Sequence, residues 1–193
     1  MFPRHPAPVS CSPRAARRAG RLRALVLIAA LLGGFAVAVT ATAGPAGASI
    51  PTRTKLENSI AWKIHTLINT ERRKHGLPAV RMNSRLRMSA RRHDVRMAHD
   101  DTMSHQLPGE PYFGQRILNA GYRWTYAGEN IAWNSDMSGS GVVLLENLMY
   151  REKPPYNDHR LNILSSHYKA VGVDVYLDLA HHKAWLTTDF GRH

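Results

Sequence analysis

The sequence predicts an α+β fold in which helices cover a sheet. Apolar residues recur at helical spacing through most of the chain, whereas its last part alternates apolar and polar residues, as strands do. Helices that come first and strands that follow, rather than the two alternating, are typical of the α+β class.

The chain begins with a segment typical of a secretory signal peptide. Six arginines and no acidic residue precede an apolar run at residues 24–39, and small residues follow it. We expect cleavage after Ala48, with Ala43 as a second candidate, so that residues 1–48 are removed and the mature protein is secreted. An uncleaved membrane anchor is the alternative, although the run is shorter than the ~20 residues that a span needs.

Charge and cysteine content restrict the mature part. The chain has 26 Lys and Arg against 14 Asp and Glu; six arginines lie in the leader, which leaves 20 against 14 and a formal charge of +6. The single cysteine, Cys11, is also in the leader. The mature part therefore has no thiol chemistry and no disulfide, and its length suits one domain with its own core.

The first predicted helix covers about residues 55–75. Gly76 and Pro78 end it, and the apolar positions are Leu56, Ile60, Ile64, Leu67 and Ile68. Arg72, Arg73 and Lys74 at its end predict a solvated basic segment.

A second helix begins at Asn83 or Ser84, either of which can cap it. It carries His93 on its apolar face, where a hydrogen-bonded core histidine is more common than a metal ligand. Helical segments are also predicted at 112–120 and 140–151, with a further turn at 159–164.

The strands are predicted near the end of the chain. "AVGVDVYLDL" and "AWLTTDF" alternate apolar and polar residues and predict an antiparallel hairpin. Ile131–Trp133 is a candidate for another strand.

Two histidines and two glutamates in four separate motifs form the candidate site. They are His105 in "MSHQLPG", Glu129 in "AGENIAW", Glu152 in "MYREKPP" and His159 in "NDHRLNIL". Such a set can bind zinc or perform general acid–base chemistry. The sequence has no His-Glu-x-x-His helix, no phosphate-binding glycine loop and no dinucleotide fingerprint.

Seven motifs occur in an order that resembles the CAP superfamily, named for cysteine-rich secretory proteins, antigen 5 and pathogenesis-related proteins. The similarity is to its bacterial secreted members, the SCP-like extracellular domains. The motifs are "INTERRKHGLPAVRMNSRL", "MSHQLPG", "ILNAGY", "GENIAW", "PPYNDHRLNIL", "VGVDV" and "WLTTDFG". The resemblance covers about residues 60–191, and we expect a CAP domain over residues 55–191.

The resemblance implies a three-layer α-β-α sandwich, with helices flanking a small antiparallel sheet, and a cleft lined by two His and two Glu. His105, Glu129 and His159 match three of these positions, with Asp158 where the family usually has Gly. Glu152, at the end of the fourth predicted helix, is the match for the second glutamate. We call these four residues the tetrad. The resemblance assigns no catalytic residue.

Two neighbours of Glu129 are predicted to support the tetrad. Gly128 lets the backbone approach closely or adopt positive φ, and Asn130 hydrogen-bonds nearby backbone. Glu129 would then face the cleft from the entrance of the strand. Alternatively, Glu129 pairs with a neighbouring His or Arg and only joins the sheet to the helices.

Three functions remain open. The first is a ligand-binding module of the cell envelope or extracellular space, with Zn²⁺ or another divalent cation on His105 and His159. The second is a metal-assisted or acid–base hydrolase of peptide or cell-wall bonds, and the third is an interaction protein with an architectural tetrad.

The partner expected from the sequence is an extracellular lipid, cell-wall polymer or peptide. Arg85, Arg92 and Arg96 on the second helix predict a solvated basic face or attraction to an anionic surface. Nucleic acid is disfavoured, since no aromatic residues are interleaved with the basic ones.

Overall fold

The computed structural model describes residues 49–193, and the predicted signal peptide, residues 1–48, lies outside the described residues. Ile50–His193 fall within one unit. Within residues 49–193, no helix combines the length and the apolar character that crossing a membrane requires.

The described chain contains helices on both faces of a sheet, which confirms the predicted fold class. The elements in chain order are α1 Lys55–Lys74, β1 Arg81–Met82, α2 Ser84–His99, α3 Phe113–Asn119, β2 Tyr126–Asn134, α4 Gly139–Tyr150, α5 Asp158–Ile163, β3 Ala170–Asp178 and β4 Lys183–Arg192.

The sheet has the order β1-β3-β4-β2. The predicted hairpin is formed by β3 and β4, and β2 pairs antiparallel with the other side of β4. The sequence analysis did not predict β1, a two-residue strand parallel to β3, because two residues are too few to show a period.

Strand β2 begins five residues before the predicted Ile131. Its pairing with β4 runs from Tyr126 to Asn134 and sets Glu129 opposite Asp189. Glu129 therefore lies within the strand, whereas the sequence analysis expected it at the strand's entrance. The glycine and the polar residues of "YAGEN" hid this strand, since residues of these types are depleted in strands.

The two faces of the sheet are chemically different. One face presents Val171, Val173 and Val175 of β3, with Leu186 and Phe190 of β4, to the apolar core formed with α1 and α4. Successive side chains of a strand point to opposite faces, so the polar residues between them lie on the other face, under α2. These are Asp174, Thr187 and Asp189, all fully buried.

Helix α2 lies directly on the sheet. A Cβ at Gly172 of β3 would overlap the backbone of Leu86 and Arg87, so this position requires glycine. Asn83, one of the two predicted caps, begins the helix and accepts hydrogen bonds from the backbone N–H groups of Arg85 and Leu86.

Arg72 does not belong to a solvated basic segment, although the sequence analysis expected it to. It is fully buried, and its guanidinium donates to the carbonyl of Ile163 (2.7 Å), the last residue of α5, and to that of Ser165 (2.9 Å), just after it. Arg72 thus ties the end of α1 to the segment that follows the tetrad residue His159.

Helices α1 and α4 bury two carboxyl groups together, on Glu71 and Glu146, which are 1% and 0% exposed. Burial raises the pKa of Glu71 to about 7, against the lowering effect of the Lys74 charge. Burial and the neighbouring Glu71 raise the pKa of Glu146 well above its usual range. Near neutral pH, at least one of these carboxyls is protonated.

We expect Glu71→Gln to stabilise the protein at alkaline pH. The unfolded chain releases this proton near pH 4.5 and the folded chain near pH 7, so the stability linked to this proton is full below pH 4.5 and is lost as the pH rises through 7. At ~1.4 kcal/mol per pKa unit, the variant gains ~3 kcal/mol at pH 8 and little at pH 4. Urea unfolding at both pH values measures the difference, and an equal change at both would contradict the prediction.

Candidate functional site

Glu129 is the buried centre of the candidate site. Its side chain is 1% exposed, and His105 Nδ1 lies 2.8 Å from Oε1. The other carboxylate oxygen, Oε2, accepts a charged hydrogen bond from Arg116. His93 adds a third neighbour, with Nε2 4.0 Å from Oε1. This side of the structure thus brings together one predicted pair, His105 and Glu129.

Arg116 of α3 connects Glu129 to the loop that carries His105. Its Nη1 donates to the carbonyls of His105 (2.8 Å) and Pro111 (3.1 Å), and it lies 3.5 Å from Glu110 Oε2. One guanidinium therefore fixes both the backbone of His105 and the carboxylate that its imidazole contacts.

The electrostatic surroundings keep Glu129 ionised. Burial alone would raise the pKa of this carboxyl, but the charges of His93 and Arg116 and the hydrogen bond from His105 outweigh burial and lower the pKa to about 2. Because a carboxylate only accepts hydrogen bonds, Nδ1 of His105 carries the proton. The second ring nitrogen, Nε2, then points away from Glu129.

His159 and Glu152 form the second pair. His159 Nδ1 lies 2.5 Å from Glu152 Oε1. Oε2 of the same carboxylate accepts from the backbone N–H groups of His159 (3.1 Å) and Arg160 (3.4 Å) at the start of α5. Glu152 therefore orients the imidazole and satisfies the first turn of the short helix that carries it.

Two asparagines attach the second pair to β2. Asn130 donates to the carbonyl of His159 (3.1 Å), which lies 29 residues further along the chain and not in the local backbone that was expected to accept this bond. Asn162 of α5 donates to Asn130 Oδ1 (2.8 Å) and to the carbonyl of Glu129 (3.3 Å). The two pairs are thus held at neighbouring positions of an edge strand, and their attachments approach it from opposite faces.

Gly128 supports this arrangement by close approach and not by positive φ. A Cβ at this position would overlap Tyr168 Oη and lie 2.8 Å from Asn162 Oδ1. Tyr168 Oη in turn donates to Asn162 Oδ1 (3.2 Å). The glycine lets Asn162 reach the backbone of β2.

The tetrad does not form one coordination sphere. Among residues 49–193, no group of three or more His, Cys, Asp or Glu side chains is placed to hold a metal ion. The residues present therefore do not fit a structural zinc site, which uses four ligands, or a catalytic one, which uses three. Metal binding by His105 and His159 stays a prediction.

Three residues of the site were not identified as such from the sequence. Arg116 lies in a short helix whose pattern gives no sign of an ion pair. His93 is fully buried and contacts Glu110 Oε1 (3.0 Å) through Nδ1, as expected of a core histidine, yet its other nitrogen faces Glu129. Asp189 lies opposite Glu129 in β4, and burial, followed by the Glu129 charge, raises its pKa well above the usual range. An acidic residue near the end of the predicted strand "AWLTTDF" was the available signal for Asp189.

Comparisons with known proteins agree with this fold. A family model described as the cysteine-rich secretory protein family, CAP, matches residues 65–190. No curated protein matches the chain in sequence.

Solved structures with the same fold include a bacterial extracellular protein and a bacterial outer surface protein. An extracellular protein with an SCP domain from Bacillus anthracis has a TM-score of 0.62 and 26% identity; the match covers 75% of this chain but 45% of that protein. An outer surface protein of Borrelia burgdorferi has a TM-score of 0.61 and 17% identity, over 74% and 96% of the two chains. NaASP2, described in a structure with Zn²⁺, has a TM-score of 0.51 and 10% identity, over 73% and 84%.

We expect Glu129→Gln to destabilise the protein at neutral pH. The folded-state pKa of Glu129 is about 2, below its ordinary value of 4.5, so the stability linked to its ionisation is present above pH 4.5 and is lost as the pH falls to 2. The variant should lose ~3 kcal/mol at pH 7 and progressively less below pH 4.5. Urea unfolding from pH 7 to pH 2.5 measures this loss.

Glu152→Gln is the matched control. Its carboxylate also contacts a histidine, but its side chain is 24% exposed, so solvent screens the interaction. A loss in this control as large as the loss in Glu129→Gln would contradict the assignment of Glu129 as the buried charge of the site.

Proposed function

The chain belongs to the cysteine-rich secretory protein family, CAP, and we propose that it is an extracellular ligand-binding module. Its ligand would be a cell-wall polymer that offers hydroxyl and amide N–H groups to the imidazoles of the tetrad. The observation that carries this proposal is that each tetrad histidine contacts a glutamate through Nδ1, at 2.8 Å for His105 and 2.5 Å for His159.

Exposure supports imidazoles, and not carboxylates, as the groups that meet the ligand. The side chains of His105 and His159 are 23% and 26% exposed, whereas that of Glu129 is 1% exposed. With Nδ1 donating to Glu152, Nε2 is the ring nitrogen of His159 that would meet the ligand, and it accepts a hydrogen bond when the ring is neutral. Sugar hydroxyls and peptide N–H groups supply the matching donors, which favours a glycan or glycopeptide polymer over a lipid chain.

The acidity of Glu129 argues against a hydrolase that uses it as a general base. An efficient general base has a pKa near the working pH, whereas the pKa of Glu129 is about 2. Its two oxygens are also engaged by Arg116 and His105. Binding therefore uses the site as it stands, while hydrolysis with Glu129 as the base would first require these two contacts to be broken.

The extracellular location rests on two independent observations. The predicted signal peptide, residues 1–48, has the order of basic, apolar and small residues that secretion requires. Two structural neighbours are described as an extracellular protein and an outer surface protein. A cell-wall polymer is a ligand that a protein in that location meets.

We expect His105→Ala/His159→Ala to lose binding to cell walls while remaining folded. Each imidazole would contribute a hydrogen bond worth ~1 kcal/mol, so the double variant should bind roughly thirtyfold more weakly. Co-sedimentation of the purified chain with isolated cell-wall sacculi measures the affinity, and circular dichroism checks the fold.

Two further variants complete that experiment. His99→Ala removes an imidazole that is 80% exposed and lies outside the tetrad, so it should keep full binding. Glu129→Gln distinguishes a ligand-binding tetrad from an architectural one. A purely architectural tetrad predicts that this variant is less stable but binds cell walls unchanged. Unchanged affinity in the double histidine variant would contradict the proposal.

Zinc binding by His105 and His159 is the second candidate function. NaASP2 is described with Zn²⁺, and a carboxylate at the second nitrogen is how proteins orient zinc-binding histidines. Since the described residues bring no three ligands together, any such site would be open and weak.

We expect calorimetric zinc titration of the purified chain to show no submicromolar binding at pH 7.5, since tight sites use three or four protein ligands. Any heat that is observed should shrink at pH 6, because metal ligands must lose their protons. Submicromolar binding that disappears in His105→Ala/His159→Ala would instead establish a metal site and support the hypothesis of a metal-assisted hydrolase.

A further inference from the structure

A second cavity, separate from the tetrad, lies between α2, α1 and the segment that leads into α1. It has a volume of about 550 Å³ and includes four arginines in its lining, Arg53, Arg87, Arg91 and Arg92. No acidic side chain and no tetrad residue belongs to the lining found among the described residues.

The carboxylates beneath this cavity do not balance its charge. Asp174 and Glu57 are buried below it, where Arg53 pairs with Asp174 and Arg91 Nη1 lies 3.4 Å from a carboxylate oxygen of each. These two acids, with the buried Asp94 beside Arg91, are fewer than the four guanidiniums, and burial raises the pKa of Asp94 and of Asp174, which weakens the compensation further.

Two of the four arginines, Arg87 and Arg91, are held in place before any ligand arrives. Arg87 donates Nε to the carbonyl of Val173 (3.1 Å) and Nη2 to Asn58 Oδ1 (2.9 Å). Arg91 donates Nη1 to the carbonyl of Val175 (3.0 Å). Such bonds fix the planar forks, which suits the bidentate recognition of an oxyanion.

Donor groups remain for a ligand. Nη1 of Arg87 has no hydrogen-bond partner among residues 49–193, and the same is true of the whole guanidinium of Arg92, which is exposed. Burial, followed by the charge of Arg53, lowers the pKa of Arg87. The cluster is therefore under mutual repulsion that a bound anion would relieve.

We propose that this cavity binds a phosphate ester, with Arg87 and Arg92 donating to its oxygens. The volume falls in the range of small-molecule sites and exceeds what a bare ion needs, so the phosphate would carry an organic group such as glycerol. This site is independent of the tetrad and of the proposed function.

The experiment is calorimetric titration of the purified chain with inorganic phosphate and with glycerol 3-phosphate. We expect saturable binding of both, tighter for the ester. Arg87→Gln and Arg92→Gln should each weaken it on the order of tenfold, because each removes a hydrogen bond between charged groups. Arg92→Gln breaks no hydrogen bond within residues 49–193, so it tests the site without a folding defect.

Arg85→Gln is the matched control, since it removes the same charge from an exposed position of the same helix, outside the cavity. It should retain full binding, as should His105→Ala/His159→Ala. The absence of saturable phosphate binding would overturn the proposal. An equal loss in Arg85→Gln and Arg92→Gln would also overturn it, because phosphate would then be attracted only by the net charge of the protein.

Vesicles distinguish the two sources of the phosphate ester. If phosphatidylglycerol vesicles bind the chain, lose affinity in Arg92→Gln and are displaced by glycerol 3-phosphate, while phosphatidylcholine vesicles show no such loss, the site takes a lipid headgroup. If vesicle binding is the same in Arg92→Gln and the unaltered chain while glycerol 3-phosphate binds, the site takes a soluble ester. Both results support a phosphate site. All variants share the same apolar leader, so differences in vesicle binding between them do not come from that segment.

Discussion

The ion pair between Glu129 and Arg116 is the constraint around which the candidate site is built. A carboxylate buried in a strand is costly unless its charge is compensated. The compensation determines where α3 and the loop carrying His105 must lie, because Arg116 reaches Glu129 and the carbonyl of His105 together. The position of one imidazole thus follows from the electrostatics of a residue that is itself almost hidden from solvent.

The two faces of the sheet contact their helices through different kinds of interaction. On the α1 and α4 side, the valines of β3 and the apolar residues of β4 form the main core. On the α2 side, the interface includes paired polar groups, among them Thr187 Oγ1 donating to Asp94 (2.5 Å) and Arg91 near Asp174 (3.4 Å). Polar pairing is directional where apolar packing is not, so this side fixes the lateral position of α2 on the sheet.

The periodicity of the sequence was sufficient to predict the helices and the terminal hairpin, because these segments bury one face and show it in their pattern. It failed for β1, which is too short to show a period, and for the first half of β2, where Gly128 and Glu129 replace the usual strand residues. The tetrad positions came from the resemblance, since spacing along the chain does not report which side chains meet. Arg116 was missed because an arginine bound to a distant carboxylate looks the same in sequence as an arginine in water.

The asparagines that hold the second His–Glu pair have a consequence for self-association. β2 is an edge strand, and exposed edges invite another chain to extend the sheet. The side-chain amide of Asn162 occupies the carbonyl of Glu129, and Asn130 ties the strand to the backbone of α5. A strand from a second copy would have to compete with Asn162 for the carbonyl of Glu129, so a residue that assembles the site also hinders edge-to-edge pairing at this position.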